Sequence, residues 1–184
     1  PAVIIFGALA GLMAGLVASA VMEGFQAAWT KAREALVGAS PAGAGGQGAP
    51  SKVAAAARRG GAVISDPAPV KVAAAATSTL RGDRLTKARK EPAGRIVHYL
   101  FGAGSAILYG ALAEVAPVVT LGFGSLFGVA VWVFADNLLL WAIGLAKRPT
   151  AYPLSTHAYS LASHVVYGVA VEAVRQLVRP VLPA

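Results

Sequence analysis

Residues 2–22 read AVIIFGALAGLMAGLVASAVM and contain no charged residue. The apolar pattern continues past Glu23, and the first basic residue is Lys31. About 20 apolar residues suffice for a helix to cross a hydrocarbon core of about 30 Å, so this stretch predicts a transmembrane helix. A cleavable signal peptide is the alternative, because residues 18–20 (Ala-Ser-Ala) look like a cleavage site. We expect a retained helix, since the basic n-region is missing and the apolar run is too long for a signal peptide.

Three further apolar runs follow, at residues 96–113, 115–146 and 154–171. The first contains His98 as its one titratable group, and the second is interrupted by Asp136 and Asn137. The sequence therefore predicts an all-α integral membrane protein with four transmembrane helices, arranged as two helical hairpins. The first helix falls within residues 1–37 and the other three within residues 93–184.

The composition supports this class of fold. Hydrophobic residues make up 57% of the 184 residues and charged residues 13%, whereas soluble domains carry about 25% charged residues. A single soluble globular domain is therefore excluded. The chain has no cysteine, which excludes disulfide frameworks, thiolate metal sites and thiol catalysis.

Residues 38–92 form a long, low-complexity basic segment between the first two helices. They are rich in Ala, Gly, Pro and Ser, contain no aromatic residue, and repeat the sequence KVAAAA at residues 52–57 and 71–76. Such a composition cannot bury enough apolar surface to fold as a packed domain, so we expect a solvated linker. Without aromatic residues to stack on bases, the linker does not predict a specific nucleic-acid partner. Attraction to anionic lipid headgroups is the simpler reading.

The basic residues predict an orientation in the membrane. Twelve of the 16 lysines and arginines lie between the first and second helices, and Lys147 and Arg148 lie between the third and fourth. The positive-inside rule places these connections in the cytoplasm and both termini outside. Arg175 and Arg179, at the far end of the fourth helix, run against this assignment.

Two patterns recur along the helices and predict an internal duplication. Because the first and third helices share one direction, as do the second and fourth, the simplest account is a duplicated hairpin about an axis along the membrane normal. The patterns are Gly11-x3-Gly15-x7-Glu23 with Gly124-x3-Gly128-x7-Asp136, and Tyr109-Gly110-x3-Glu114 with Tyr167-Gly168-x3-Glu172.

The glycines predict close helix packing. Gly7, Gly11 and Gly15 are spaced four apart on the first helix, and Gly124 and Gly128 have the same GxxxG spacing on the third. Lipid provides no hydrophobic drive between helices, so cohesion comes from close approach of their backbones. We expect these strips to pack helices within the bundle, or to form the seam of a homodimer.

Three ionisable residues fall inside the predicted spans. At about 1.5 Å per residue, Asp136 lies roughly 16 Å from the inner edge, His164 roughly 15 Å and Glu23 roughly 12 Å. Such groups usually face a partner or a wet cavity, and we predict a contact between Asp136 and His164. The cluster of the three residues is either a proton relay or cation site, or a hydrogen-bonded group that fixes helix register. His98 and His157 are accessory polar residues near the inner interface.

Catalytic motifs are missing from the sequence. It contains no phosphate-binding glycine loop, nucleophile elbow or zinc-protease motif, and residues 155–157 (Ser-Thr-His) lack the third member of a triad. We therefore expect no enzyme activity, no metal and no cofactor; a haem held by two histidines lacks any attachment motif.

Glu172 precedes Arg175 by three residues, which predicts a surface ion pair.

Several stretches of the chain resemble YagU-like bacterial membrane proteins, a family with a domain of unknown function. The resemblance covers about residues 3–36 and 92–180 and implies a multi-pass protein of the bacterial inner membrane with no established biochemical activity. Members often show a second acid after the helix-three aspartate, where this chain has Asn137, so the resemblance does not support an essential carboxylate pair there. The stretches are AGRIVHYLFG at 93–102, LYGALAE at 108–114, YPLSTHAY at 152–159, ASHVVYG at 162–168, and VM and FQAAW at 21–22 and 25–29.

These observations support two functional hypotheses. The first is a non-enzymatic membrane protein that serves as an accessory or scaffold subunit or as a small homo-oligomer, with the lipid bilayer and other membrane subunits as its partners. The second is a proton- or cation-coupled transport or homeostasis component that uses Asp136, His164 and Glu23.

Overall fold

The computed structural model describes residues 2–38, 67–82, 84 and 86–182. All regular elements within these ranges are helical, which confirms the all-α prediction. The five main helices are α1 (Ala2–Gly38), α2 (Ala68–Arg81), α3 (Lys87–Val115), α4 (Ser125–Ala142) and α5 (Leu154–Val178).

Three of the described helices are long and apolar enough to cross a membrane: α1 over Ala2–Ala35, α3 and α4. The predicted membrane character is confirmed to that extent. Helix α5 has 25 residues, a length of about 37 Å. It is more polar, because Ser, Thr and His residues are spread through its first half and a Glu and an Arg lie near its end. Its crossing stays a prediction.

Helix α2 orders part of the segment that we expected to be a solvated linker. Pro69 lies in its first turn, where a missing N–H costs little, and Gly82 ends it in a left-handed conformation with φ of 70°. The apolar side chains of Val70 and Ala73 are buried, and Val70 contacts Gly94 of α3. The rest of the predicted linker, residues 39–66, lies outside the described residues.

Helices α1 and α3 run antiparallel and pack through small residues. A Cβ added at Gly11 would overlap the carbonyl group of Ala106, and one added at Gly7 would overlap the carbonyl oxygen of Gly110. Gly15 is equally close to α3, against Ala106 and Gly102. The two backbones therefore touch from Gly7 to Gly15, along about two turns, as small residues allow in membrane helices.

Helices α4 and α5 approach each other in the same way. A Cβ at Gly124 would overlap the carbonyl of Gly168, and one at Gly128 would overlap the carbonyl of His164. Contacts of α1 with α5 join the two pairs of helices. The core at this junction includes Tyr109 and Tyr167, with Phe127 of α4 packed against it.

Helix α4 is irregular and poorly covered. Eight of its residues, Trp132–Leu139, form a π-helix, a wide turn that is frequent at functional sites. The side-chain amide of Asn137 donates to the carbonyl of Trp132, 2.9 Å away, within this segment. Only 11% of the residues in the apolar window of α4 are buried, against 39% in α1 and 33% in α3. Helix α4 packs mainly against α5.

Candidate functional site: two polar clusters between helices

Asp136 of the π-helical segment meets α5 in the first polar cluster. The hydroxyl of Ser160 donates to Asp136 Oδ2 at 2.6 Å, and His164 Nε2 lies 3.9 Å from the same oxygen. His164 Nδ1 is 2.8 Å from the carbonyl oxygen of Ser160. The predicted contact between Asp136 and His164 is therefore present, with Ser160 as a third member that the sequence analysis did not single out.

The hydrogen bond between His164 and the Ser160 carbonyl determines the tautomer of His164. A carbonyl oxygen accepts only, so His164 Nδ1 must carry its proton toward Ser160. That leaves Nε2 facing the Asp136 carboxylate. At 3.9 Å the two atoms are too far apart for a hydrogen bond.

The fold explains why these side chains meet. Gly128 brings the backbone of α4 against the carbonyl of His164, and two turns further along the π-helix turns Asp136 toward α5. The Asp136 side chain keeps 32% of its surface exposed and that of His164 keeps 12%. A carboxyl group at this place in a span is costly unless it finds a further partner or water.

Glu23 makes its polar contacts with α3 and not with Asp136 or His164. Its carboxylate is 3.5 Å from Arg95 Nε and accepts a hydrogen bond of 3.3 Å from the hydroxyl of Tyr99, both on α3. Among the contacts of the described residues, the predicted cluster of three therefore divides into Asp136–His164 and a separate ion pair between α1 and α3.

The two accessory histidines have different surroundings. His157 Nε2 lies 2.9 Å from the carbonyl oxygen of Pro149, and its ring packs edge-on against Trp132 at 5.9 Å. That arrangement closes the turn between α4 and α5. The Nε2 atom of His98 is buried without a hydrogen-bond partner among the described residues.

The second cluster is centred on Glu172, at the end of α5 where α3 also ends. Glu172 is 1% exposed and its carboxylate accepts four hydrogen bonds. They come from the hydroxyl of Tyr109 at 2.8 Å, from Arg175 Nε and Nη2 at 2.8 and 2.9 Å, and from Gln176 Nε2 at 2.8 Å. The predicted surface ion pair is wrong in its location, because Tyr109 of α3 and the helix itself cover the carboxylate.

Glu114 extends this second cluster across to α3. Arg179 Nε donates to Glu114 Oε1 at 2.8 Å, and Arg175 Nη1 lies 3.8 Å from the same oxygen. Two carboxylates and two guanidinium groups therefore alternate, and their charges cancel. This chain of ion pairs ties the ends of α3 and α5 together.

A smaller polar contact joins α3 and α5 closer to the middle of the bundle. The hydroxyl of Tyr167 donates to the carbonyl oxygen of Gly102 at 2.5 Å and lies 2.9 Å from Ser105 Oγ. Tyr109 and Tyr167 are thus both tied across the α3–α5 contact. The sequence signal for both was the repeated Tyr-Gly-x3-Glu, which extends to Ser-x3-Tyr-Gly-x3-Glu at 105–114 and 163–172.

The chemistry available at these clusters is proton exchange and ion pairing. Within residues 2–38, 67–82, 84 and 86–182, no group of three or more His, Asp and Glu side chains is placed to hold a metal ion. The Glu172 carboxylate is covered and accepts four hydrogen bonds. The Asp136 side chain, by contrast, keeps 32% of its surface exposed.

Residues 84–173 match the model of a family described as "Protein of unknown function (DUF1440)". The matched range contains α3, α4 and most of α5, with the whole Asp136 cluster and both glutamates of the second. No curated protein and no solved structure matches the chain. Over these 90 residues the chain is thus similar to a family whose function is not established.

Proposed function

We propose that this chain is a non-enzymatic multi-pass membrane protein that acts as an accessory or scaffold subunit of a membrane complex, or as a small homo-oligomer. The observation that carries the proposal is the poor coverage of α4, of which 11% is buried. Helix association in lipid depends on close packing rather than on apolar burial. A helix packed along one neighbour has a free side on which a helix of another subunit can pack.

The outward side of α4 is suited to such a contact. Gly124 and Gly128 face α5, whereas Leu126 is 58% exposed and Trp141 is exposed as well. Asp136, one-third exposed in the same helix, would gain a partner from a neighbouring subunit. A hydrogen-bond donor supplied there would offset part of the cost of a carboxyl group within the membrane.

We place the protein in the bacterial inner membrane, as its YagU-like stretches suggest. Helices α1, α3, α4 and α5 cross the bilayer, residues 38–92 lie in the cytoplasm, and both termini lie outside. Arg175 and Arg179, at the far end of α5, run against this orientation, and both form ion pairs there, with Glu172 and Glu114. The orientation rests on the other 14 of the 16 lysines and arginines, which all lie on the side placed in the cytoplasm.

The proposal predicts a particle larger than one chain. After gentle solubilisation, light scattering should give the mass of more than one copy, or a stoichiometric partner should co-purify. A single cysteine at Leu126 on α4 should cross-link to its neighbour. The matched control is Leu9→Cys on α1, since Leu9 follows Gly7 by two residues as Leu126 follows Gly124. A strictly monomeric particle without a partner would contradict the proposal.

A second candidate function is favoured by the Asp136–Ser160–His164 contact. We propose as the alternative a proton- or cation-coupled transport or homeostasis component, in which Asp136 and His164 hold the transferred proton. Glu23, paired with Arg95 at 3.5 Å, would serve as a separate carboxylate on the path. The π-helical segment around Asp136 would allow α4 to shift by part of a turn.

Proton flux into liposomes tests this alternative. Wild-type protein should conduct, whereas Asp136→Asn and His164→Ala should each lower the flux at least tenfold, since a relay fails when a member cannot exchange its proton. Asn137→Ala is the matched control, because it changes the neighbouring polar residue and leaves the pair intact. Equal flux in all four proteins would reject the alternative.

A further inference from the structure

An apolar cleft of about 590 Å³ separates α3 from α4. A volume of this size is typical of sites that hold a small molecule or a chain of one. Its walls are almost entirely apolar, with the Ser105 hydroxyl, held beside Tyr167, as an exception. The walls include Phe101, Phe127, Val131, Phe134, Leu138 and Leu139.

The two ends of the cleft differ. Toward the outer end, Phe127 stacks on Tyr109 with ring centroids 4.4 Å apart, so α3 and α4 are bridged there. Toward the inner end, the lining reaches Ala142, the last residue of α4. These two rings therefore stop an occupant that enters from the inner side before it reaches the outer surface. A helix that must cross the whole membrane does not fit such a shape.

Positive charge surrounds the inner end. The Lys71 ammonium group of α2 donates to the carbonyl oxygen of Leu145, 3.3 Å away and three residues beyond Ala142. Lys147 and Arg148 follow directly in the chain and are exposed. Helix α2, anchored on α3 through Val70, thus brings a basic residue from the distant linker to the end of α4.

We propose that the α3–α4 cleft binds one acyl chain of an anionic phospholipid from the cytoplasmic leaflet, with the lipid phosphate held by Lys71, Lys147 and Arg148. Basic residues at the cytoplasmic end of an apolar groove between helices suit an anionic lipid in particular. The inference rests on the proposed orientation in the membrane. It uses the side of α4 that faces α3, whereas the subunit contact is probed at Leu126, which does not line the cleft.

Lipid retention on the purified protein tests this proposal. Native mass spectrometry with phosphatidylglycerol and phosphatidylcholine of identical acyl chains should show selective retention of phosphatidylglycerol by wild-type protein. The double variant Lys71→Gln/Lys147→Gln should weaken that retention by about tenfold or more, from two lost phosphate contacts. Arg33→Gln, which removes an exposed charge from α1 instead, is the matched control and should retain the lipid.

Filling the cleft tests the acyl-chain part. Ala130→Phe places a ring in the cleft and should displace both lipids. A photoactivatable phosphatidylglycerol on wild-type protein gives an answer without any variant: it should label Phe134 or Leu138 rather than the outward Leu108. Equal retention of both lipids, or labelling spread evenly over outward residues, would overturn the proposal. Either result leaves the oligomer mass unaffected, so the two proposals fail separately.

Discussion

Gly11→Leu is expected to separate α1 from α3 and to destabilise the bundle by about 3 kcal/mol, the upper end of overpacking costs. A Cβ at this position would overlap the backbone carbonyl of Ala106. Backbone atoms in a helix cannot turn aside as the tip of a side chain can, so the helices must move apart. Neighbouring contacts at Gly7 and Gly15 would loosen with them.

Gly24→Leu is the matched control for this prediction. It makes the same substitution on the same helix, but a Cβ there meets no atom within 4 Å. Because both variants gain the same helix propensity, their difference isolates the interhelical contact. Unfolding in a titration with sodium dodecyl sulfate should occur much earlier for Gly11→Leu. If the two variants unfold alike, the close approach of α1 and α3 does not hold the bundle.

The glycine pattern illustrates what the sequence could and could not predict. The repeat was predicted from spacing alone, with Gly11 matched to Gly124. In the structure Gly7 and Gly124 are the equivalent pair, since they meet Gly110 and Gly168 in the same way. The equivalence therefore differs by one helical turn. Spacing within a helix cannot fix this register, because contacts with a second helix determine it.

The polar residues show the same limit. Depth along the helices was enough to predict that Asp136 meets His164, because both lie near the middle of helices joined by a short turn. Depth alone also grouped Glu23 with them, although its side chain lies against Arg95 and Tyr99. Helical rise gives the height of a residue and says nothing about which neighbour it faces.

Glu172 was missed for a related reason. Its position near the end of an apolar run suggested solvent, yet the hydroxyl of Tyr109, 63 positions earlier, covers it at 2.8 Å. The composition of the linker did not predict the packing of helix α2 either, because a segment with few large apolar residues buries little surface by itself. Its burial of Val70 depends on the presence of Gly94 on α3. Contacts between distant segments decide both cases.

We propose that the chain crosses the membrane four times with its basic connection inside. This topology rests on the distribution of lysines and arginines along the chain. It requires α5 to cross, although α5 is the most polar of the four helices. Because the chain has no cysteine, each position can be probed by a single introduced thiol without other changes.

Labelling of single cysteines with a membrane-impermeant reagent tests this claim most directly. Suitable exposed positions are Thr79 in the last turn of α2, Val118 between α3 and α4, Thr150 between α4 and α5, and Val181 after α5. We expect Val118→Cys and Val181→Cys to react on intact cells, and Thr79→Cys and Thr150→Cys to react only after permeabilisation. Reaction of Thr79→Cys on intact cells, or reaction of Thr150→Cys and Val181→Cys from the same side, would contradict the account.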